Sequence, residues 1–340
     1  MKTLSVESYG VFVGRKGDRI IVKRKKEKLA EIPAGNIDLI KLSARGVSAS
    51  MDVIQLALKH NIPVVISGKS GKPLGVVLPF TYRGLVEVRK RQFLAQDSRI
   101  GVEIAKAMVY GKIANQSQLI YLVARTWKKL NSQDRAALLG AREAMLEWLN
   151  RIERINGDSC EEVREELMSI EARAAQHYWL AFGRVIPGEL EFEGRVKRGA
   201  CDVVNSMLNY GYAILATEVW LSLLKAGLDP WAGFLHANSQ RRPGMVYDLM
   251  EPFRAPIVDK VILHLVSLKS SKLRDCVEDC RLTPQCKVMV MESVLERLKT
   301  QVRHGGRRMT FSDLILLHAR RIALRIAGRR PRYKPFIWRG

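Results

Sequence analysis

The sequence contains 340 residues, of which 47% are hydrophobic and 27% charged, a balance typical of about two globular domains. Its 57 lysines and arginines outnumber 34 aspartates and glutamates, and the net charge of +23 favours nucleic acid as a partner over an anionic membrane surface or simple solubility. No run approaches the roughly 18 consecutive apolar residues of a membrane-spanning helix, and the N-terminus lacks the apolar segment of a signal peptide. The sequence therefore predicts a cytoplasmic protein that does not enter the membrane.

The cysteines give no sign of a disulfide framework or a metal site. Their number is odd and they are spread along the chain, at Cys160, Cys201, Cys276, Cys280 and Cys286. The last three lie close together, but their spacing matches no paired zinc-binding motif and no fourth ligand follows nearby. We therefore expect reduced structural thiols that bind no metal.

The N-terminal part of the chain alternates short β-prone runs with turn residues. The runs are Gly10–Val13, Arg19–Lys23, Ile37–Leu42, Ile62–Ile66 and Leu74–Leu78. Gly17 with Asp18 and the segment Lys69–Gly71 are predicted hairpin turns. The pattern indicates a β-rich domain.

One short helix is expected within that domain. Ser50 is its candidate N-cap, and four apolar residues follow at a spacing that buries a single face: Val53, Ile54, Ala57 and Leu58. The first domain is thus predicted over residues 1–81, β-rich with one small helix.

From about Tyr82 to Gly328 the apolar residues recur with helical periodicity. Capping signals mark several helix starts: Ser132, Ser159 with Glu162, Thr283 followed by Pro284, and Thr310 with Asp313. We predict an all-helical second domain over residues 82–340 that ends in a basic tail. The predicted fold class of the whole chain is α+β.

The C-terminal segment mixes cations with aromatic side chains. The cations are Arg320, Arg321, Arg325, Arg329, Arg330, Arg332 and Lys334, and the aromatics are Tyr333, Phe336 and Trp338. Such a mixture suits contacts with phosphates and bases. The alternative is that the aromatics dock the tail onto the helical core. A second basic stretch, Arg15–Lys28, is explained equally well as a solvated face.

The densest cluster of chemically capable residues follows His236. Asp248 and Glu251 are three residues apart, which places both carboxylates on one face of a helix. That helix is predicted over about Gly244–Met250, broken after it by Pro252 and Pro256. Two acids beside a histidine suit a cation. The alternatives are ion pairs with nearby arginines and a hydrogen-bonded core histidine.

A second acidic candidate is Glu171. It borders the inward stripe of a helix that is formed by Leu167, Ile170, Ala174 and Tyr178. A carboxylate at that border has to be exposed, paired or bound to a metal, because burying it alone is costly. Sequence spacing does not show whether Glu171 lies near His236.

Several short sequence segments, taken in order, resemble a known family, and this resemblance bears on whether Glu171 lies near His236. They are EIPAGNID, KHNIPVVISGKSGKPLG, EARAAQHYW, NSMLNYGYAIL and GFLHANSQRRPGMVYDLMEPFR. In this order and at this spacing they resemble the integrase family of CRISPR adaptation, the first-numbered Cas protein. The resemblance covers nearly the whole chain.

The resemblance implies that Glu171, His236 and Glu251 bind one divalent cation and that Asp248 is a further catalytic acid beside the site. Some family members carry Asp where this chain has Glu251. Two carboxylates and an imidazole without a thiolate suit Mg²⁺ or Mn²⁺. The implied reaction is phosphodiester transesterification, in which a DNA 3′-hydroxyl attacks a phosphodiester bond.

The resemblance also implies partners: DNA, a second copy of the chain in a homodimer, and the small second-numbered Cas protein. Arg241, Arg242 and Arg254 are placed to hold the DNA backbone near the metal, or alternatively to pair with the neighbouring acids. The five arginines from Arg320 to Arg330 in the tail are further candidate DNA contacts.

Two rival functions remain at this stage. One is a related transposon-encoded integrase with the same catalytic domain. The other is a basic nucleic-acid-binding protein without catalysis, in which Glu171, Asp248 and Glu251 only pair with arginines. The three ligands that the resemblance implies, Glu171, His236 and Glu251, are all present, which favours the enzyme.

Overall fold

The computed structural model describes residues 3–42, 46–68, 73–79, 86–128, 130–236 and 242–340. The chain divides into two compact units, Met1–Arg83 and Gly84–Gly340. The first is built mainly from strands and the second mainly from helices, so the predicted α+β class is confirmed.

The described residues of the first unit form two four-stranded sheets and one α-helix. Its elements are β1 (Thr3–Val6), β2 (Val11–Lys16), β3 (Arg19–Arg24), β4 (Glu27–Pro33), β5 (Leu39–Leu42), β6 (Ser48–Ala49), α1 (Met51–Lys59), β7 (Val64–Ser67) and β8 (Pro73–Val77). The strand orders are β4-β3-β2-β6 and β1-β5-β7-β8. The predicted N-cap of α1 is confirmed, since the Ser50 hydroxyl accepts a hydrogen bond from the amide of Val53.

One of the two predicted hairpin turns of this unit lies within the described residues. The β2–β3 hairpin turns at Gly17, whose φ of 60° is the left-handed conformation that glycine adopts without cost. The prediction for that turn is therefore confirmed. The other predicted turn, Lys69–Gly71, lies outside the described residues.

The second unit contains the remaining helices. They are α2 (Val86–Gln96), α3 (Arg99–Thr126), α4 (Ser132–Arg154), α5 (Cys160–Arg184), α6 (Val203–Lys225), α7 (Gly244–Phe253), α8 (Lys260–Leu273), α9 (Pro284–Lys299) and α10 (Phe311–Ile326). The long helix α3 packs against α4, α5 and α7. It thereby forms the centre from which the candidate site is built.

The expectation that this unit is all-helical is wrong. It also contains two short hairpins, β9 (Val277–Glu278) with β10 (Arg281–Leu282) and β11 (Gln301–His304) with β12 (Arg307–Thr310). The second turns through Gly305 and Gly306, both with positive φ, and a two-glycine turn of this kind is a strong hairpin signal. That local signal overrides the surrounding helical periodicity.

Three of the predicted helix starts hold. Thr310 and Asp313 form a reciprocal capping box, and α9 begins at Pro284 directly after Thr283. Ser159 caps α5 by accepting from the amide of Glu162. The start of α4 is shifted by one residue, because Asn131 is the N-cap and Ser132 is already helical.

The prediction that Pro252 and Pro256 break the helix after Glu251 is wrong. α7 runs through Pro252 and continues as a π-helical stretch, Arg254–Asp259, directly into α8. Pro256 has no N–H to donate to the carbonyl of Pro252, and the Nδ2 of Asn115 donates to that carbonyl instead, at 2.6 Å. The wider π turn and this side-chain donor together let the backbone continue.

Four of the cysteines form disulfide bonds, so the expectation of reduced thiols is wrong for them. Cys201 is bonded to Cys280 and Cys276 to Cys286, whereas Cys160 is free and buried. Cys201 and Cys280 lie 79 residues apart in sequence, a separation that no spacing rule connects. The absence of a metal at Cys276, Cys280 and Cys286 stays a prediction.

The C-terminal tail packs on the helical core. Tyr333, Phe336 and Trp338 are 2%, 1% and 3% exposed, and the ring of Phe336 stacks on that of Phe253. Asn115 on α3 accepts from the amide of Trp338 and donates to the carbonyl of Phe336. The aromatic residues therefore dock the tail, as in the alternative interpretation of this segment.

Candidate active site

Glu171 lies on α5 where the apolar face of the helix ends. Leu167, Ile170, Ala174 and Tyr178 are buried, as their spacing predicted, and the Glu171 side chain remains 18% exposed. Its Oε1 lies 2.5 Å from the Nζ of a residue on a different helix, Lys112. Glu171 therefore takes one of the roles that a border carboxylate was expected to have, that of an ion-pair partner.

Lys112 lies on α3 and contacts two acids. Its ammonium is 2.5 Å from the Oε1 of Glu171 and 2.7 Å from the Oε2 of Glu251. Only 12% of the Lys112 side chain and 3% of the Glu251 side chain are exposed. The packing of α3, α5 and α7 thus brings two carboxylates into contact with one ammonium group.

Arg254 supplies a second cation to the same cluster. Its Nε donates to the other carboxylate oxygen of Glu251 at 2.9 Å, and its guanidinium lies over the ring of Tyr212. Burial opposes ionisation of Glu251, but Arg254 and Lys112 outweigh it and hold the pKa of that carboxyl below its usual value. The same carboxylates outweigh burial at Lys112 and raise the pKa of its ammonium.

Asp248 is fully buried and organises the segment that carries His236. Its carboxylate accepts from the backbone amides of Phe234, Leu235 and His236, at 2.5 to 3.0 Å, and from the Nδ1 of the His236 ring at 2.7 Å. The packing around it is tight, since a Cβ on Gly233 would meet backbone atoms at 2.7 Å. Asp248 therefore fixes both the backbone and the ring of His236.

The orientation of the His236 ring leaves one of its nitrogens available to bind another group. Because Nδ1 donates to Asp248, Nε2 is the ring nitrogen left to offer a lone pair. Burial opposes protonation, but the hydrogen bond and charge of Asp248, with Glu251 and Glu171 nearby, raise the pKa of His236 above its usual value. An imidazole held in this way by a carboxylate is the arrangement typical of metal-binding histidines.

The residues present fit a hard divalent cation. Within the described parts of the chain, no three His, Cys, Asp or Glu side chains already converge on one point. Glu171 and Glu251 instead converge on the Lys112 ammonium, which is a cation at the meeting point of two carboxylate oxygens. With the Nε2 of His236 these oxygens give the donor set that Mg²⁺ or Mn²⁺ accepts.

Two residues of the cluster were not found from the sequence. Lys112 lies 59 residues before Glu171, and nothing but its position in an apolar run distinguishes it. Asp259 is buried and accepts hydrogen bonds from the hydroxyls of Tyr178 and Tyr212 at 2.6 and 2.5 Å. Through Tyr212 it supports the ring on which Arg254 lies.

The candidate DNA-binding arginines differ in their surroundings. Arg241 lies outside the described residues, Arg242 is exposed, and Arg254 is engaged with Glu251. In the C-terminal segment, Arg320 on α10 and Arg329 after it are exposed. Arg321 contacts His304, Arg325 pairs with Glu103 through three contacts of 2.8 to 3.2 Å, and Arg330 donates to the carbonyl of Arg332.

The described helices include none that is both long and apolar enough to cross a membrane.

The chain is similar to proteins of one family over most of its length. The family model described as CRISPR associated protein Cas1 matches residues 4–296. The CRISPR-associated endonuclease Cas1 1 of Archaeoglobus fulgidus is 35% identical over 98% of this chain and 99% of its own length. A Cas1 protein of Methanobrevibacter ruminantium is 32% identical over 79% of each chain.

The fold is shared with solved structures. A casposase bound to integration product has a TM-score of 0.83 and 24% identity, covering 98% of this chain and 93% of its own. A Cas1 protein from Thermotoga maritima has a TM-score of 0.76 and 18% identity, covering 99% and 100%. From the family model, the full-length relative and these folds, we conclude that the chain belongs to the Cas1 family of CRISPR-associated proteins.

Proposed function

We propose that this Cas1-family protein is a divalent-metal-dependent DNA endonuclease and integrase that inserts short DNA segments into a CRISPR repeat array. The observation that carries the proposal is the pair of nearly buried carboxylates, Glu171 and Glu251, which share one cation beside a histidine fixed by Asp248. The related protein of Archaeoglobus fulgidus is named an endonuclease, and the similar casposase structure contains an integration product.

Glu171, Glu251 and the Nε2 of His236 would hold Mg²⁺ or Mn²⁺. Such an ion supplies charge stabilisation to the attacking and leaving oxygens of a phosphodiester. The chain's own residues prepare this site: Asp248 orients the imidazole, and Arg254 holds one oxygen of Glu251 so that the other is free to face the shared cation. A DNA 3′-hydroxyl in place of water turns cleavage into strand transfer.

The proposed partners are DNA, a second copy of the chain and the second-numbered Cas protein. The net charge of +23 supports DNA, because a basic protein gains affinity from the counterions that it releases. One structure of the same fold, with a TM-score of 0.79, is a Cas6-RT-Cas1–Cas2 complex of which this chain covers 36%. The casposase fold keeps a transposon-type integrase as the second candidate, with the same chemistry and a different target DNA.

Strand transfer of labelled DNA in Mg²⁺ or Mn²⁺ tests the proposal. Replacing Glu171 or Glu251 by Gln, or His236 by Ala, should abolish metal-dependent cleavage and strand transfer, because Gln lacks the negative charge of the carboxylate ligand and Ala lacks the imidazole. DNA affinity should stay level or rise, since contacts to phosphates are spread over many cations. The matched control is Glu165→Gln, an exposed acid on the same helix as Glu171.

Full metal-dependent activity in Glu171→Gln or His236→Ala would refute the assignment. DNA binding by the wild type without any metal-dependent cleavage or strand transfer would favour the non-catalytic interpretation. A preference for a repeat sequence over unrelated target DNA would separate CRISPR integration from transposon-type integration.

A further inference from the structure

The Lys112 ammonium lies between the two carboxylates that are proposed to bind the metal ion. Its Nζ lies 2.5 Å from Glu171 and 2.7 Å from Glu251, and all three side chains are at most 18% exposed. Two carboxylates this close and this buried repel each other unless a cation lies between them. The ammonium therefore provides the charge that keeps α5 and α7 together at this point in the absence of a metal.

A divalent ion bound by Glu251 would need the same Oε2 atom that contacts Lys112, because Arg254 already holds the Oε1. Mg²⁺ binds carboxylate oxygens at about 2.0–2.1 Å in a nearly octahedral shell, which leaves no room for an ammonium between the same two oxygens. Arg254 is different, because it contacts the Oε1 of Glu251 and not the Oε2 that faces Lys112. Of these two cations, only Lys112 has to move when the ion enters.

We propose that Lys112 is a displaceable counter-ion of the active site: it holds Glu171 and Glu251 together without metal, competes with the metal, and leaves when the metal binds. The inference rests on the proposed function, because it assumes that these carboxylates bind the ion. Lys112 thereby acts as a positioning residue through the two carboxylates.

The charge balance suggests where the released ammonium goes. Two carboxylates are neutralised by Lys112 and Arg254, so a divalent ion added to the same cluster would leave excess positive charge unless an anion arrives with it. A DNA phosphate at the site provides that anion. The side chain of Lys112 is long and flexible, so its released ammonium can contact that phosphate. Metal and DNA should therefore each raise the affinity of the other, through Lys112.

Mn²⁺ binding, followed by electron paramagnetic resonance with and without a short DNA duplex, tests this competition. In Lys112→Met the Mn²⁺ affinity without DNA should rise about tenfold or more, because the competing cation is gone, and the effect of DNA on that affinity should shrink. Lys112→Arg should retain the low affinity of the wild type. Lys106→Met, on the same helix, should leave the affinity unchanged, because the Lys106 ammonium donates to the backbone carbonyls of Glu153 and Ile155.

Thermal unfolding gives a second measurement that does not depend on activity. In EDTA, Lys112→Met should unfold several degrees below the wild type, since its carboxylates are left uncompensated, and Mn²⁺ should restore most of the difference. An unchanged or lower Mn²⁺ affinity in Lys112→Met would overturn the inference while leaving the metal site intact. If His236→Ala binds Mn²⁺ as the wild type does, or if the wild type binds none even with DNA, the proposed function itself fails.

Discussion

At the scale of single residues, Asp248 shows how one buried carboxylate can organise a site. It accepts hydrogen bonds from three consecutive amides and from one imidazole, and hydrogen bonds to an ionised carboxylate are among the strong ones. Those four donors all belong to the segment that ends at His236. The carboxylate of Asp248 thus fixes the conformation of this backbone segment and the orientation of the His236 ring.

Replacing Asp248 by Asn should reduce strand transfer without removing the metal. The amide group cannot accept from all four donors, so the imidazole loses its fixed orientation, and loss of such a ligand-orienting group typically costs about 10- to 100-fold in activity. Stability should fall by about 2 kcal/mol, because buried amides lose their acceptor. Urea unfolding and a strand-transfer assay check both effects, with Asp158→Asn, an exposed acid, as the control. Full activity in Asp248→Asn would show that orientation of His236 is not limiting.

The sequence predicted the individual acids better than their partners. Helical periodicity placed Glu171 at the edge of a buried stripe, because periodicity reports which face of a helix is apolar. It could not show that Lys112 pairs with it, since α3 and α5 come together through packing of the whole domain. Their mutual position is a tertiary property that no local pattern carries.

At the scale of elements, local chemistry predicted several helix starts. Ser50, Ser159 and Thr310 cap their helices as expected, because a hydroxyl that accepts from an amide three residues later is a local interaction. The continuation of α7 through Pro252 was not predictable in this way. It depends on a donor from Asn115, which is 137 residues away in sequence.

Docking of the tail against α10 should make stability sensitive to acid. His318 on α10 is fully buried and contacts the hydroxyl of Tyr333 through its Nδ1 at 3.1 Å. Burial holds the pKa of His318 well below its usual value, and the nearby Arg321, His304 and Arg330 lower it further. The folded state therefore keeps this ring neutral at pH values where the unfolded chain takes up a proton.

The sign of the effect follows from that difference. The stabilising contribution of neutral His318 is present above about pH 6.5, the unfolded value, and is lost as the pH falls below it, at up to about 1.4 kcal/mol per pH unit. His318→Gln should flatten the dependence of the unfolding free energy on pH between 6.5 and 5. Urea unfolding at several pH values measures this, with His264→Gln, an exposed histidine, as the control. An equally steep loss in His318→Gln would assign the acid sensitivity to other groups.

At the scale of the whole molecule, the positively charged residues of the C-terminal segment fall into two groups. Some of these cations hold the fold, such as Arg325 on α10, which pairs with Glu103 on α3. Others, such as Arg320 and Arg329, are exposed. Composition alone predicted a polyanion partner but could not divide the arginines between these two groups, because the division depends on which of them meet an acid after folding.

Substitution of single arginines should separate the two groups. Removing the whole tail would also remove Tyr333, Phe336 and Trp338 from the core, so point variants are the cleaner test. Arg320→Gln and Arg329→Gln should each lower the slope of log affinity for duplex DNA against log salt by about 0.9, the value for one lost phosphate contact, with stability unchanged. Arg325→Gln should lower stability by about 1–2 kcal/mol and leave the slope nearly unchanged, because its guanidinium is engaged with Glu103. Fluorescence anisotropy over a range of salt concentrations, beside urea unfolding, makes the comparison. An unchanged slope in Arg320→Gln and Arg329→Gln, or a reduced slope in Arg325→Gln alone, would contradict this division.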